Sequence, residues 1–390
     1  MSKPAWVLYF FAYLAFVSLG LPDTVLGVAW PSMRREFGLS HSSMAAILTA
    51  GTCGYVSSGL LAGAIARKLG IGGLLVASSG LVSVALLGYS LAPSWNTFFP
   101  IGVLVGLGSG AIDTGLNDYA ARHFSARSVN WLHACWGIGA SIGPALMTAA
   151  ITQEASFRLG YAGLAAIIGC MALAFIVTRR QWNDSGPPGS ETRAQSASPK
   201  ASMRSALASR AVWLQVAMFW LYTGLEASIG QWCFTWMREA NGLSVALAGF
   251  WNSAYWASLT LGRILLGSIV NWVGADRLLR IAGVTGVLGT VLFISPLGPV
   301  SRIGLALLGF SLAPFFPTLI ARTPARVGAS ISRYSIGFQV SAATLGAAML
   351  PAAIGFLISH RGIHSLAIVL VGLSVAVTAV HEVLCRAGTA

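Results

Sequence analysis

Twelve apolar stretches, each close to the roughly 20 residues needed to cross a bilayer, leave this chain very little choice of fold. They fall at about 5–31, 41–65, 71–92, 97–121, 128–151, 158–178, 210–236, 245–269, 277–298, 301–321, 333–358 and 364–385. Only 9% of the 390 residues are charged and 56% are hydrophobic, whereas a soluble domain carries about a quarter charged residues. The expected fold is an all-α polytopic membrane protein with twelve transmembrane helices. The first span is too long for a cleaved signal peptide and has no small-residue cleavage site at its end, so it is expected to be retained.

The one long polar stretch, 181–208, is rich in Ser, Pro, Gly and Ala and reads as a cytoplasmic linker. It divides the chain into an N-terminal six-helix bundle, 1–180, and a C-terminal one, 209–390. The net charge of +13 invites a nucleic-acid reading, but the distribution of the basic residues argues otherwise. With the N-terminus inside, seventeen Lys and Arg fall on inner segments, six on outer ones, and Arg263 within a span. That bias is the positive-inside pattern. It predicts a cytoplasmic (inner) membrane protein with both termini cytoplasmic and no nucleic-acid partner. The five cysteines are isolated. No CxxC or metal-ligand spacing exists, so neither a disulfide nor a metal site is expected, and nothing in the sequence points to a cofactor.

Internal similarity supports the two-half reading. GAIARKLG (Gly63–Gly70) and GSIVNWVG (Gly267–Gly274) lie 204 residues apart, and GASIGP (Gly139–Pro144) and GAAMLP (Gly346–Pro351) lie 207 apart. Each pair occupies the same place in its half. Two pseudo-symmetric six-span halves, a basic central loop and the repeated GxxxxxxG loop resemble the major facilitator superfamily. Within it the chain is most similar to the fucose-permease-like sugar branch that includes the yeast bypass-of-stop-codon proteins. The stretches that carry this are GLPDTVLGVAWPSM (Gly20–Met33), GSGAIDTGLND (Gly108–Asp118), NWLHACWGIGASIGP (Asn130–Pro144), YTGLEASIGQW (Tyr222–Trp232), LGRILLG (Leu261–Gly267), GFSLAPFFPT (Gly309–Thr318) and GFQVSAATLGAAMLP (Gly337–Pro351). One feature departs from the family pattern. The loop motif usually carries an acid where this chain has Arg67, and Asn271 fills the equivalent place in the second half. The resemblance therefore implies that the first-half acid–arginine latch is built differently here or is weaker.

Eleven acidic residues exist in all, so an acid inside a span stands out. A carboxylate there costs several kcal/mol unless it lines a cavity or has a partner. Glu36, Glu154, Asp184, Glu191, Glu239, Asp276 and Glu382 fall at span ends or in loops and read as solvated charges. Asp118 is expected to pair with Arg122 at i,i+4. That leaves Asp23, Asp113 and Glu226 as candidate proton-coupling groups. Asp113 shares a helical face with Asn117, amid glycines that admit close backbone approach. Asp23 follows Pro22 inside the first span, where a helix break would free carbonyls for proton or cation binding; the competing reading makes it the cap of a new interfacial helix. The resemblance implies proton coupling by an acid in span one and another in span four, the spans of Asp23 and Asp113.

Candidate solute-binding residues are Asn117, Asn130, His133, Trp136, Tyr222, Gln231, Trp232, Asn252 and Gln339. Tyr222 lies one turn from Glu226, whereas Gln231 and Trp232 point away from it unless the helix breaks at Gly224 or Gly230. Trp232 reads equally as an interfacial belt residue, and His133 as an interhelical hydrogen-bond donor. Asn252 and Gln339 are polar positions that either face a central cavity or pair between helices. Gly139, Gly143 and Pro144 resemble the glycine–proline motif of antiporters, or else serve packing and a kink. Arg263, with Arg67 and Asn271, is assigned to gating or structure; sequence does not choose its partner.

There is no HExxH, no acid–histidine cluster at an interface is apparent, and no soluble domain of any size exists to carry a signal. An enzyme or a sensor is therefore not expected. The expected function is secondary active transport of a small polar solute, a sugar or polyol, by alternating access coupled to protons. The alternative is proton-driven export of drugs, siderophores or metabolites. The partners are the solute, protons and the lipid bilayer, and the chain is expected to act as a monomer.

Overall fold

The computed structural model describes residues 6–154, 156–182 and 203–387, and every regular element among them is helical. Most of the expected linker falls on 183–202, outside the described residues. Eight helical stretches are long and apolar enough to cross a membrane by length and composition. One of them, His41–Leu91, is two passes: Gly70 leaves helical geometry at φ 72° and ψ 163°, a backbone that favours glycine. Gly54 before that point and Val82 after it both pack on the fourth span, at Val103 and Gly108. With Arg210–Glu239, Val245–Val273 and Ala275–Phe293, the described residues make the twelve expected passes.

Two spans are broken rather than continuous. The first consists of Trp6–Asp23 and Leu26–Phe37, and the tenth of Gly298–Leu312 and Phe315–Val327. In the first, Pro22 removes a backbone donor near the break. Thr24 Oγ1, just beyond, donates to the Ala140 carbonyl at 2.8 Å. Val25, not Asp23, occupies the N-cap position of the second helix, and no side chain caps it. The interfacial-cap reading of Asp23 is therefore not what the structure has.

The described chain forms two compact units that cut across the sequence halves. Among the described residues, one holds 6–154 and 156–182 with Ile229–Thr260 and Pro351–Leu366; the other holds 203–228, Leu261–Leu350 and 367–387. In the first unit, spans one and five meet along a seam of small residues. A Cβ on Gly20 would overlap the Trp136 carbonyl; on Gly139 it would overlap that of Val17, and on Gly143 that of Leu21. Only glycine permits backbones this close. In the second unit, Gly346 makes the same kind of contact with the Trp220 carbonyl, joining spans seven and eleven.

Candidate functional site

The first unit gathers acids from two spans into one cluster. Asp23 lies near the middle of the Trp6–Phe37 stretch, and Asp113 about one turn past the middle of Trp95–His123. Tyr55, from the second span, donates to Asp113 Oδ2 at 2.6 Å. Asn117 Nδ2 donates to the other oxygen, Oδ1, at 2.9 Å. Trp136 Nε1, from the fifth span, donates to Asp23 Oδ2 at 3.0 Å. Asp23 is exposed and Asp113 half-buried. The two carboxylates interact through charge, and His133 acts on Asp113 in the same way. The His133 ring also meets Phe16 edge-on, with centroids 5.5 Å apart. Such a cluster can hold or release a proton at a carboxylate and offer hydroxyl, amide and indole groups to a polar molecule. Tyr55 was not legible in the sequence; its only signal is a hydroxyl in a glycine-rich apolar span.

The second unit solves the partner of Arg263. Its Nη2 lies 3.4 Å from Glu226 Oε1. Tyr222 donates its hydroxyl to Glu226 Oε2 through a short hydrogen bond, and Phe315 stacks on the Tyr222 ring at 5.4 Å. Glu226 is 7% exposed. It is thus a buried, paired carboxylate, unlike exposed Asp23. The helix Arg210–Glu239 is unbroken at Gly224 and Gly230, so Gln231 and Trp232 do not come onto the face of Glu226.

Several sequence expectations are corrected by the side-chain positions. Gln339 does not face a cavity. It is fully buried, donating to Gln215 Oε1 at 3.1 Å and Ser335 Oγ at 3.0 Å, and accepting from Thr323 Oγ1 at 3.1 Å. With its hydrogen bonds met inside the protein, it is a packing network. Trp232 is not an exposed belt residue: it is fully buried and donates to the Pro351 carbonyl at 2.9 Å. Asn252 is buried as well, its Nδ2 donating to the Gly230 carbonyl at 3.0 Å. Gly139 and Gly143 belong to the packing seam, and Thr148 Oγ1 donates to the Pro144 carbonyl at 2.7 Å. The GASIG run of this seam spells the GxSxG of hydrolases. It lies within a helix, however, with Ser141 Oγ on the Gly137 carbonyl at 2.7 Å, and not on the strand-to-helix turn that such a nucleophile needs. The side chains of Asn130 and Asn271 lie outside the described residues.

Four acids read as solvated charges are ion-paired. Arg158 holds Glu36 at 2.6 Å and Arg280 holds Glu382 at 2.7 Å. Asp276 accepts from Arg322 at 2.9 Å and Arg326 at 2.8 Å. Burial opposes ionisation of Asp276, but the two guanidinium charges prevail and hold its carboxyl below the usual carboxylate range. The second-half loop therefore carries its acid at Asp276, five residues beyond Asn271, while Arg67 of the first half is exposed. Asp276, His381 and Cys385 also place ligand-type atoms within 4.8 Å of one another, a grouping their sequence separation hid. Both Asp276 oxygens are already taken by Arg322 and Arg326. Asp118 and Arg122 pair at 2.6 Å, the i,i+4 bridge expected.

The fourth paired acid, Glu239, closes a seal at the end of the first unit opposite the N-terminus, here called distal. Glu239 Oε1 lies 3.4 Å from Arg34 Nη1, and its Oε2 lies 3.3 Å from His41 Nε2. The His41 hydrogen bond, opposed by burial and aided by the charges of His41 and Arg34, holds the Glu239 carboxyl below its ordinary value of 4.5. The Ser42 amide donates to Ser359 Oγ at 2.8 Å, and the His41 ring meets Trp232 edge-on at 5.6 Å. Spans one, two, seven and eleven are thereby tied together at this end.

Comparison with known proteins agrees with this architecture. The Major Facilitator Superfamily profile matches residues 6–340. The chain is 22% identical over 277 residues to bypass of stop codon protein 6 of Saccharomyces cerevisiae, covering 66% of this chain and 56% of the yeast protein. It is 21% identical over 385 residues to the glucose/mannose transporter GlcP of Bacillus subtilis, covering 94% of each chain. Its fold is similar to the crystal structure of the transporter FucP in the outward conformation, with TM-score 0.64, 15% identity and coverage of 97% and 98%.

Proposed function

Because the chain belongs to the Major Facilitator Superfamily, we propose that it is a secondary active transporter moving a small polar solute, a sugar or polyol, by alternating access coupled to protons. The observation that carries this reading is the placement of two acids within apolar spans, Asp113 held by the Tyr55 hydroxyl and the Asn117 amide and Asp23 by the Trp136 indole. Two carboxylates within electrostatic reach of each other disfavour double ionisation, so one of them takes up a proton more readily. Protonation then shifts the balance between two states of the carrier through its differential cost in each. Glu226 is the third proton-coupling candidate, and its bond to Arg263 gives it a second role: a change of state that parts the pair leaves a buried charge in need of a proton.

The similarity to a glucose/mannose transporter over nearly the whole chain supports the solute class. The bias of basic residues supports a cytoplasmic membrane location with both termini inside. Export of drugs or siderophores rested on the glycine–proline motif of span five, and those glycines are occupied in packing against span one. The test is uptake of labelled hexoses into proteoliposomes under an inward proton gradient. Accumulation that a protonophore abolishes upholds the reading. Equal uptake with and without the gradient overturns proton coupling.

A further inference from the structure

Trp256 of the eighth span reaches the acid cluster from the second half of the chain. Its indole meets that of Trp136 edge-on, with ring centroids 6.0 Å apart and planes at 84°. Trp136 in turn donates to Asp23. Two glycines make room for this arrangement. A Cβ on Gly230 would overlap the Trp256 ring, and one on Gly137 would overlap Thr260. The Thr260 hydroxyl donates to the Trp256 carbonyl at 2.8 Å, tying that side chain to the same turn. The Trp256 indole is 5% exposed, and its Nε1 is buried with no acceptor. A buried donor without a partner is costly and rare in a folded protein.

We infer that the Trp136–Trp256 pair is the seat of the transported solute and that Trp256 is the ring that sets its specificity. This rests on the transporter reading and narrows its solute class to a neutral, ring-shaped, polyhydroxylated molecule. Indole faces take the C–H face of such a ring. Its hydroxyls donate to the Asp23 carboxylate and accept from the Trp256 N–H, because a hydroxyl does both. An organic cation would also suit two indoles and a carboxylate, but it brings no acceptor to Nε1. The unmet donor decides between the two.

The test is counterflow in proteoliposomes with labelled D-glucose, D-mannose and D-xylose, with tetramethylammonium, which has no hydrogen-bond acceptor, as the cationic competitor, in the wild type, Trp256→Phe and Trp256→Ala. Trp256→Phe keeps an aromatic ring but removes the N–H together with the five-membered ring of the indole, so its KM for exchange rises at least about tenfold at similar turnover, the effect of one hydrogen bond and part of the stacking face. Trp256→Ala raises KM further, and tetramethylammonium does not compete. Wild-type KM in both variants, competition by tetramethylammonium, or exchange of none of the three sugars overturns the assignment. Trp256→Phe keeps the test valid where Trp256→Ala does not fold. Should the sugars exchange with the expected KM changes while the wild type accumulates none under a proton gradient, the coupling reading fails and the solute seat stands.

Discussion

Asp113 has both oxygens occupied, one by Tyr55 at 2.6 Å and one by Asn117 at 2.9 Å. The Asn117 bond was legible because it spans one helical turn. The Tyr55 bond crosses 58 residues and depends on how spans two and four pack, which no local pattern encodes. Tyr55→Phe removes a hydrogen bond to a charged group, worth about 1.5–3 kcal/mol. Proton-driven uptake is expected to fall at least about tenfold while counterflow persists, measured in the same vesicles. The Glu226 site gives a second residue-level prediction. Arg263→Gln strands a buried carboxylate and is expected to destabilise the protein by about 3–5 kcal/mol, more than Glu226→Gln does, with the double variant regaining part of the loss. Thermal unfolding in detergent measures this; equal effects of the two single variants would show that the pair carries no buried charge.

The spans themselves were legible as elements, because length and hydropathy are local properties. The break in span one was legible from Pro22, and the turn between spans two and three from Gly70 in its repeated loop. What sequence did not convey was which polar residues the elements press together. Gln339 and Gln215 lie 124 residues apart and pair in a network, and Glu239 lies 205 residues from Arg34. The distal seal belongs to this scale. Glu239 is depressed below 4.5, so its contribution is fully present above that pH and is lost as pH falls through the lowered value. Glu239→Gln is expected to loosen the seal at neutral pH by about two- to fivefold, since a half-exposed pair is worth about 0.3–1 kcal/mol. The rate of alkylation of Ser359→Cys, with the five native cysteines replaced, reads this out. At a fixed pH of about 7, where the thiolate fraction of the probe cysteine is held constant, Glu239→Gln should raise the rate; the same rate in both proteins would remove Glu239 from the seal.

At the scale of the whole molecule, the twelve passes followed from composition and span count, the family was a resemblance carried by the repeated loops and motif stretches, and the profile match over 6–340 agrees. The compact units did not follow. Ile229–Thr260 and Pro351–Leu366 associate with the first six spans through contacts at Trp256, Glu239 and Ser359 that join distant parts of the sequence. It is this association that brings an indole of the second half to the acids of the first. The central claim is that those acids couple protons to solute movement, and Asp113→Asn tests it most directly. Counterflow of a labelled hexose needs no proton gradient, whereas accumulation does. The account predicts that Asp113→Asn retains counterflow within a few-fold of the wild type and loses pH-driven accumulation. Loss of both activities in a folded variant, or retention of both, would contradict it.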